Sequence, residues 1–211
     1  MTLTRRRLAL SLAALPLAGP AFAQSALSAA DRALIDRAAA YLQGLTEATP
    51  RFVQTDSRGR TVNGTVFLKR PGKARFAYDA PSGLLVISDG NIVSVQDTRL
   101  KTFDQYPLGA TPLSLFLAKT IRLDQGVNVT RVARMADGFQ ITARDGKKQT
   151  AGQIVLSFRD APLALTGWSV TDAQGRATRV QLQGLTRAPG LAGNLFVLKD
   201  PRPKNPGRGK V

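Results

Sequence analysis

Two pairs of carboxylates are the residues to weigh first as candidates for catalytic chemistry. Asp97 with Asp104, or Asp89 with Glu47, could in principle supply the acid and the base that glycoside hydrolysis requires. Nothing in the sequence around these four residues distinguishes them from ordinary turn or surface carboxylates. The pairs therefore do not indicate a hydrolase.

The absence of two residue types excludes most other enzyme classes. The chain contains no histidine and no cysteine. It therefore lacks the commonest general base, the commonest zinc ligands, any thiol nucleophile and any disulfide. It also has no phosphate-binding loop and no GxSxG motif. We predict that the protein is not an enzyme and that it has no catalytic residue, no metal site and no cofactor.

The first 23 residues have the pattern of a cleaved secretory signal. Arg5, Arg6 and Arg7 precede a short apolar run, and the segment ends in Ala21-Phe22-Ala23. The apolar run is too short to span a bilayer, which needs roughly 20 apolar residues. We predict that residues 1–23 are removed and that the mature protein is exported, by the general or the twin-arginine route.

The mature chain is strongly basic, and part of the charge lies at its end. The formal net charge is +16, and the predicted signal contributes three of the arginines and no acid. Residues 199–211 are rich in Lys, Arg, Pro and Gly, which predicts a solvated tail after a domain of residues 24–198. The remaining charge would attract anionic membranes or acidic proteins. Export and the scarcity of aromatic residues argue against nucleic acid as a partner.

Two segments have helical patterns. Ser28 and Asp31 form a capping pattern, and apolar residues then recur at spacings of three and four, which predicts an amphipathic helix of about 18 residues. Residues 112–119 predict a short second helix, with Pro112 in its first turn.

The rest of the chain has the pattern of short β-strands. Asp89-Gly90, Asp137-Gly138 and Asp145-Gly146 are hairpin signals. The predicted strands are 52–55, 61–69, 75–78, 84–88, 92–96, 100–105, 127–134, 139–143, 153–158, 165–171, 178–182 and 195–198. We predict a mainly β fold in which one curved antiparallel sheet of about eleven strands forms an unclosed half-barrel, covered by short α-helices. Its interior would be either a packed core or an apolar cavity with a movable lid.

The order and spacing of several motifs resemble the outer-membrane lipoprotein carrier family, LolA. They include Phe52-x-Gln54, the segment 64–73, Phe76-x-Tyr78, Pro81, Ser88-Asp89-Gly90 with Val93, Pro112-Leu113, Leu156-x-Phe158-x-Asp160, Trp168-x-Val170-x-Asp172-x-x-Gly175, Phe196 and Pro201. The resemblance spans essentially the whole mature chain. It implies an eleven-stranded unclosed barrel lidded by helices.

The resemblance also implies a function without bond breaking. Such a protein is a periplasmic chaperone that ferries acylated lipoproteins from an inner-membrane release transporter to an outer-membrane acceptor. We expect the carrier to work as a monomer.

Arg70 lies where the family has the arginine that closes the lid through hydrogen bonds to backbone carbonyls. The planar five-donor guanidinium suits that task, although an arginine in a strand-end position before Pro71 could equally be a solvent-exposed residue. The predicted cavity residues are Val66, Leu68, Phe76, Tyr78, Val86, Val93 and Val95. The predicted lid residues are Leu34, Ala38, Leu42, Leu113, Phe116 and Leu117.

A second function class stays open from sequence alone, because a fold does not fix a function. The same half-barrel could belong to an envelope sensor or enzyme that binds lipids or polyanions. A polar, carboxylate-lined cleft would favour that alternative, whereas an apolar cavity would favour the carrier.

Overall fold

A computed structural model describes residues 27–123, 127–145 and 152–201 of the chain. The predicted signal segment and residues 202–211 of the predicted tail lie outside these ranges, as does Gly146 of the third hairpin signal. None of the helices in the described ranges has the length and apolarity that crossing a membrane requires.

One antiparallel sheet dominates the fold. Its strands are β1 (Glu47–Ala48), β2 (Arg51–Thr55), β3 (Thr61–Lys69), β4 (Lys73–Tyr78), β5 (Leu84–Asp89), β6 (Ile92–Asp97), β7 (Thr102–Pro107), β8 (Val127–Arg134), β9 (Gly138–Asp145), β10 (Gly152–Arg159), β11 (Ala164–Asp172) and β12 (Ala177–Gln183). Eleven strands follow the order β7-β6-β5-β4-β3-β2-β12-β11-β10-β9-β8, and the two-residue β1 pairs with β3. Because β7 and β8 are not paired with each other, the sheet does not close. The predicted mainly β, unclosed architecture is confirmed.

The sheet consists of two meanders joined in the middle. Strands β2 to β7 form one and β8 to β12 the other, and the antiparallel β2–β12 pair connects them. The chain passes from β7 to β8 through a 3-10 helix (Leu108–Ala110) and helix α2 (Ser114–Leu117). The predicted Asp89-Gly90 hairpin is present between β5 and β6. Its Gly90 has a φ of 118°, which a residue with a Cβ adopts only at a cost.

Helix α1 (Ala29–Gly44) begins as the sequence predicts. The Ser28 side chain accepts a hydrogen bond from the Asp31 N–H, and the Asp31 carboxylate accepts one from the Ser28 N–H. This reciprocal capping box satisfies two backbone donors at the helix start. The Ser28 hydroxyl also donates to the Asp31 carboxylate at 2.7 Å, and this bond, together with the one from the Ser28 N–H, lowers the pKa of the Asp31 carboxyl.

The buried face of α1 packs on the second meander. We call this cluster the α1 core; it consists of Leu34, Ile35, Ala38, Leu42, Ile121, Leu123, Phe139, Ile141, Ala143, Ile154, Leu156, Phe158 and Leu165. Its β9 and β10 members alternate along each strand and face one another across the ladder, as Leu156 faces Ile141. The rings of Phe139 and Phe158 stack with centroids 5.1 Å apart.

The predicted last strand, Leu195–Leu198, is wrong. Residues Gly193–Phe196 form a 3-10 helix, and Phe196 is only 1% exposed. Side chains of the first meander hold this segment, since Lys69 Nζ donates to the Leu191 carbonyl at 2.7 Å and Arg75 donates to the Leu195 carbonyl at 3.2 Å. Burial of the Phe196 ring therefore anchors this segment, so the apolar residues that had predicted a strand belong to a 3-10 helix and the residues that follow it.

Candidate functional site

An apolar cavity lies between the sheet and the C-terminal end of α1 together with α2. We call it the lid cavity, and its volume is about 50 Å³. The lid itself consists of the last turn of α1 together with the whole of α2. Apart from Arg70, every residue that lines the cavity is apolar.

Aromatic rings form part of the cavity wall. Phe76, Phe116 and Trp168 all line the space, and the Trp168 ring centroid lies 6.2 Å from that of Phe76 and 5.3 Å from that of Phe116. Behind this wall Gly64 makes room for the ring of Phe52, which packs against Phe76, because a Cβ at Gly64 would lie 2.5 Å from the Phe52 ring. Trp168 is the only tryptophan in the chain, so its fluorescence reports on this cavity.

The cavity is small as it stands. Pockets that bind small molecules have volumes of roughly 300–1,000 Å³, several times the volume found here. A ligand of that size therefore fits only if the cavity enlarges.

Arg70 connects the two parts of the lid. It follows β3 directly, and its guanidinium donates to the carbonyls of Leu42 and, at 3.4 Å, Gln43 in the last turn of α1. Its other terminal nitrogen donates to the Ala118 carbonyl after α2 at 2.7 Å. The last carbonyls of a helix have no partner within the helix, and α1 has no basic residue in its own last turn. Arg70 therefore supplies from a distant strand the cation that a helix C-terminus favours.

The side chain of Arg70 is partly buried. Burial lowers the pKa of its guanidinium, which nonetheless stays protonated. Its buried Nε has no hydrogen-bond partner in the described part of the chain. The described hydrogen bonds of the side chain all go to neutral backbone carbonyls.

A second polar side chain ties α1 to the segment after α2. Gln43 Oε1 accepts a hydrogen bond from the Ile121 N–H at 2.8 Å, and its Nε2 donates to the Lys119 carbonyl at 3.2 Å. Sequence reasoning missed Gln43, and no local signal marks it, because its partners lie more than 70 residues away.

Seven predicted apolar site residues line the lid cavity together. They are Val66, Leu68 and Phe76 of the sheet and Leu42, Leu113, Phe116 and Leu117 of the lid. Helical and strand periodicity carried these predictions, and the structure places them around one space.

The other predicted site residues lie elsewhere. Tyr78 and Val86 pack against a cluster that includes Phe52 and Phe76 without lining the cavity. Strand register puts Val93 and Val95 on the same sheet face as Val86, but farther towards the β7 edge of the sheet. The predicted lid residues Leu34 and Ala38 belong to the α1 core, because the start of α1 lies over β9 and β10 rather than over the cavity.

Eight lining residues were not predicted: Leu45, Ala48, Pro50, Ala74, Leu165, Trp168, Leu182 and Leu185. Alternation could have identified Ala74, which is two residues before Phe76 on β4 and faces Leu68. The others come from the linker after α1 and from β11, β12 and the segment beyond. The β2–β12 pairing, with the bridge between Ala48 and Arg187, brings the second meander to this wall.

The four carboxylates considered for catalysis have structural roles or lie apart. Asp89 and Asp97 accept backbone hydrogen bonds within their own turns. Glu47 pairs with Lys69 at 3.1 Å and accepts the Leu191 N–H at 3.0 Å, and these contacts lower its pKa. Asp104 lies on β7 in the row that contains Val95. Within the described ranges, no three His, Cys, Asp or Glu residues are grouped to hold a metal.

Comparisons with known proteins agree on one family. The family model described as outer membrane lipoprotein carrier protein LolA matches residues 43–199. An outer-membrane lipoprotein carrier protein of Xanthomonas campestris pv. campestris is 31% identical over 170 residues, covering 74% of this chain and 79% of that protein.

Two further relatives bear the same description. The protein of Methylobacillus flagellatus is 30% identical over 155 residues, covering 69% of this chain and 74% of its own. The protein of Aeromonas salmonicida is 26% identical over 193 residues, covering 83% and 91%.

Proposed function

The chain belongs to the LolA family of outer-membrane lipoprotein carrier proteins, and from that premise we propose that it holds the acyl chains of lipoproteins in the lid cavity. It would do so in the periplasm as a monomer, between an inner-membrane release transporter and an outer-membrane acceptor. The carriage breaks no covalent bond.

The apolar wall of the lid cavity is the observation that supports this function. An acyl chain exposed to water costs about 0.8 kcal/mol for each CH₂ group, so a lipoprotein anchor needs a dry container to cross an aqueous compartment. The lid cavity offers a wall that is apolar apart from Arg70. Such a wall binds through contact area, with few hydrogen bonds that would select one acyl chain or retain it.

We propose that loading opens the lid and breaks the hydrogen bonds of Arg70. The described cavity of about 50 Å³ must grow several-fold to take an acyl chain. The empty protein would regain the carbonyl contacts of Arg70 when the lid closes, and this gain favours release of the cargo to an acceptor. Arg70 would therefore set the balance between loading and delivery.

The first experiment tests binding. The mature protein is mixed with spheroplasts that release lipoproteins and is then examined by native mass spectrometry. We expect a one-to-one complex with an acylated protein, which disappears when the acyl chains are removed. An unloaded protein that binds only anionic surfaces and releases at high salt would contradict the carrier function and favour an envelope polyanion-binding role.

The second experiment tests Arg70. Arg70→Leu should fold and load cargo but deliver it to an acceptor membrane poorly, because lid closure no longer regains the carbonyl contacts. Arg58→Leu, which removes an arginine from an exposed turn, is the matched control and should deliver normally. Normal loading and delivery by Arg70→Leu would rule out the proposed gate.

A further inference from the structure

A second, larger space lies beside the lid cavity. We call it the side cleft, and its volume is about 350 Å³. Leu45, Leu165, Leu182 and Leu185 line both spaces, so the cleft and the cavity share one apolar wall. The side cleft already has the volume of a small-molecule pocket, which the lid cavity lacks.

Two arginines give the lining of the side cleft a positive charge. Arg159 at the end of β10 and Arg187 beyond β12 both line it, and no acidic residue does. The described side-chain hydrogen bond of Arg159 goes to the Pro162 carbonyl at 3.4 Å. Neither arginine takes part in any of the described ion pairs.

The acidic residues next to these arginines are already engaged. Asp160 follows Arg159 and pairs with Arg37 at 2.7 Å. Glu47 precedes Ala48, the bridge partner of Arg187, and pairs with Lys69 at 3.1 Å. The guanidinium groups of Arg159 and Arg187 therefore keep donors for an outside anion, and such groups match the oxygens of a carboxylate or phosphate.

We propose that the side cleft binds the carboxylate or phosphate head of an anionic amphiphile, whose alkyl tail passes between the shared leucines into the lid cavity. A cleft lined by two arginines and by leucines that it shares with the lid cavity offers both the charge and the apolar surface that such a molecule needs. Acyl chains joined through ester or amide bonds carry no charge, so the arginines serve a ligand other than a lipoprotein anchor. The proposal rests on the proposed function only in using the same cavity for the tail.

Quenching of Trp168 fluorescence tests the proposal on the mature protein. The probes are a brominated fatty acid and its uncharged methyl ester, because bromine quenches the indole when the tail reaches the lid cavity. The double variant Arg159→Gln/Arg187→Gln should bind the acid about tenfold more weakly or worse, as expected for the loss of charge-assisted hydrogen bonds. Its affinity for the ester should stay at the parent value.

Two controls make the result specific. Arg131→Gln/Arg179→Gln removes the same charge from exposed strand positions that line neither space and should bind the acid like the parent. Dodecyl phosphate should displace the brominated acid from the parent, whereas inorganic phosphate at the same concentration should not. Equal competition by inorganic phosphate would indicate a free-anion site and overturn the amphiphile.

The outcomes separate this proposal from lipoprotein carriage. Unchanged acid binding by Arg159→Gln/Arg187→Gln, or an equal loss in the Arg131/Arg179 control, overturns the proposal while lipoprotein loading can still succeed. Absence of quenching by the brominated acid in the parent likewise overturns this proposal, because the tail then never reaches Trp168, whereas lipoprotein carriage is decided by the native mass spectrometry of loaded protein.

Discussion

The α1 core and the lid cavity are built from similar residues and lie under the same helix, yet they differ in packing. In the α1 core the strand residues Ile141 and Leu156 are at most 1% exposed, and rows from β9 and β10 interdigitate beneath the start of α1. Beside the lid cavity, the end of α1 meets α2, a helix of four residues. There the apolar side chains leave about 50 Å³ empty.

Polar contacts differ between the two regions as well. The start of α1 is closed by its own capping box of Ser28 and Asp31. Its end is closed by Arg70 and Gln43, whose partners lie in the lid or beyond it. One end of the helix is thus fixed locally and by dense packing, and the other by long-range hydrogen bonds. If the lid opens as proposed, we therefore expect the start of α1 to remain seated on the second meander while its last turn and α2 move.

Truncation of one leucine in each region should give the largest contrast. Leu156→Ala should lower the free energy of unfolding by about 2–5 kcal/mol, because it leaves a void in a filled core. Leu113→Ala should cost about 1–2 kcal/mol, since this partly exposed side chain already borders empty space. Urea unfolding followed by circular dichroism measures both. Equal losses would contradict the difference in packing.

Alkaline pH probes the edge of the cavity. Burial raises the pKa of Tyr78 to about 12, and the Tyr78 hydroxyl donates a hydrogen bond to Gln54 Oε1 at 2.8 Å. The unfolded chain, with an ordinary tyrosine pKa of about 10, loses this proton first. Stability that is fully present below pH 10 should therefore fall by about 1.4 kcal/mol per pH unit as the pH rises towards 12.

Tyr78→Phe is the control for that titration. The variant should lose most of the added slope between pH 10 and pH 12, because it has no phenol to ionise. Chemical unfolding at several pH values gives both slopes. Identical slopes for the parent and for Tyr78→Phe would show that Tyr78 does not titrate differently in the folded protein.

Loss of the α1 cap should have the smallest effect and sharpens the distinction between the two helix ends. Ser28→Ala should reduce stability by about 1 kcal/mol, the usual loss for a capping side chain. Delivery of lipoproteins should stay unchanged, because the cap lies at the end of α1 remote from the lid. A delivery defect as large as that of Arg70→Leu would contradict a fixed start and a moving end.

Much of the fold followed from local patterns. Alternating residues identified most strands within a few positions, and the capping box located the start of α1 at Ser28. The strand at Leu195–Leu198 failed because its apolar residues satisfy a 3-10 segment as well as a strand. A single buried Phe196 has no period for a pattern to reveal.

The candidate site was only half accessible from sequence. Periodicity indicated the inward faces of β3, β4 and α2, and the family resemblance singled out Arg70. Periodicity could not separate Leu34 and Ala38 from Leu42, because all three share one helix face and differ only in which part of the sheet lies beneath them. The site also contains Trp168, Leu182 and Gln43, whose contacts there are with residues far away along the chain.

The sequence by itself determined most of the secondary structure, the apolar character of one sheet face and the absence of histidine and cysteine chemistry, because these depend on residue type and short spacing. Only the tertiary structure decided where packed side chains cover that face completely, as in the α1 core, and where they leave a cavity. That outcome depends on the pairing of β2 with β12 and on which end of α1 Arg70 reaches. Such contacts join residues tens of positions apart, and their geometry exists only in the folded chain.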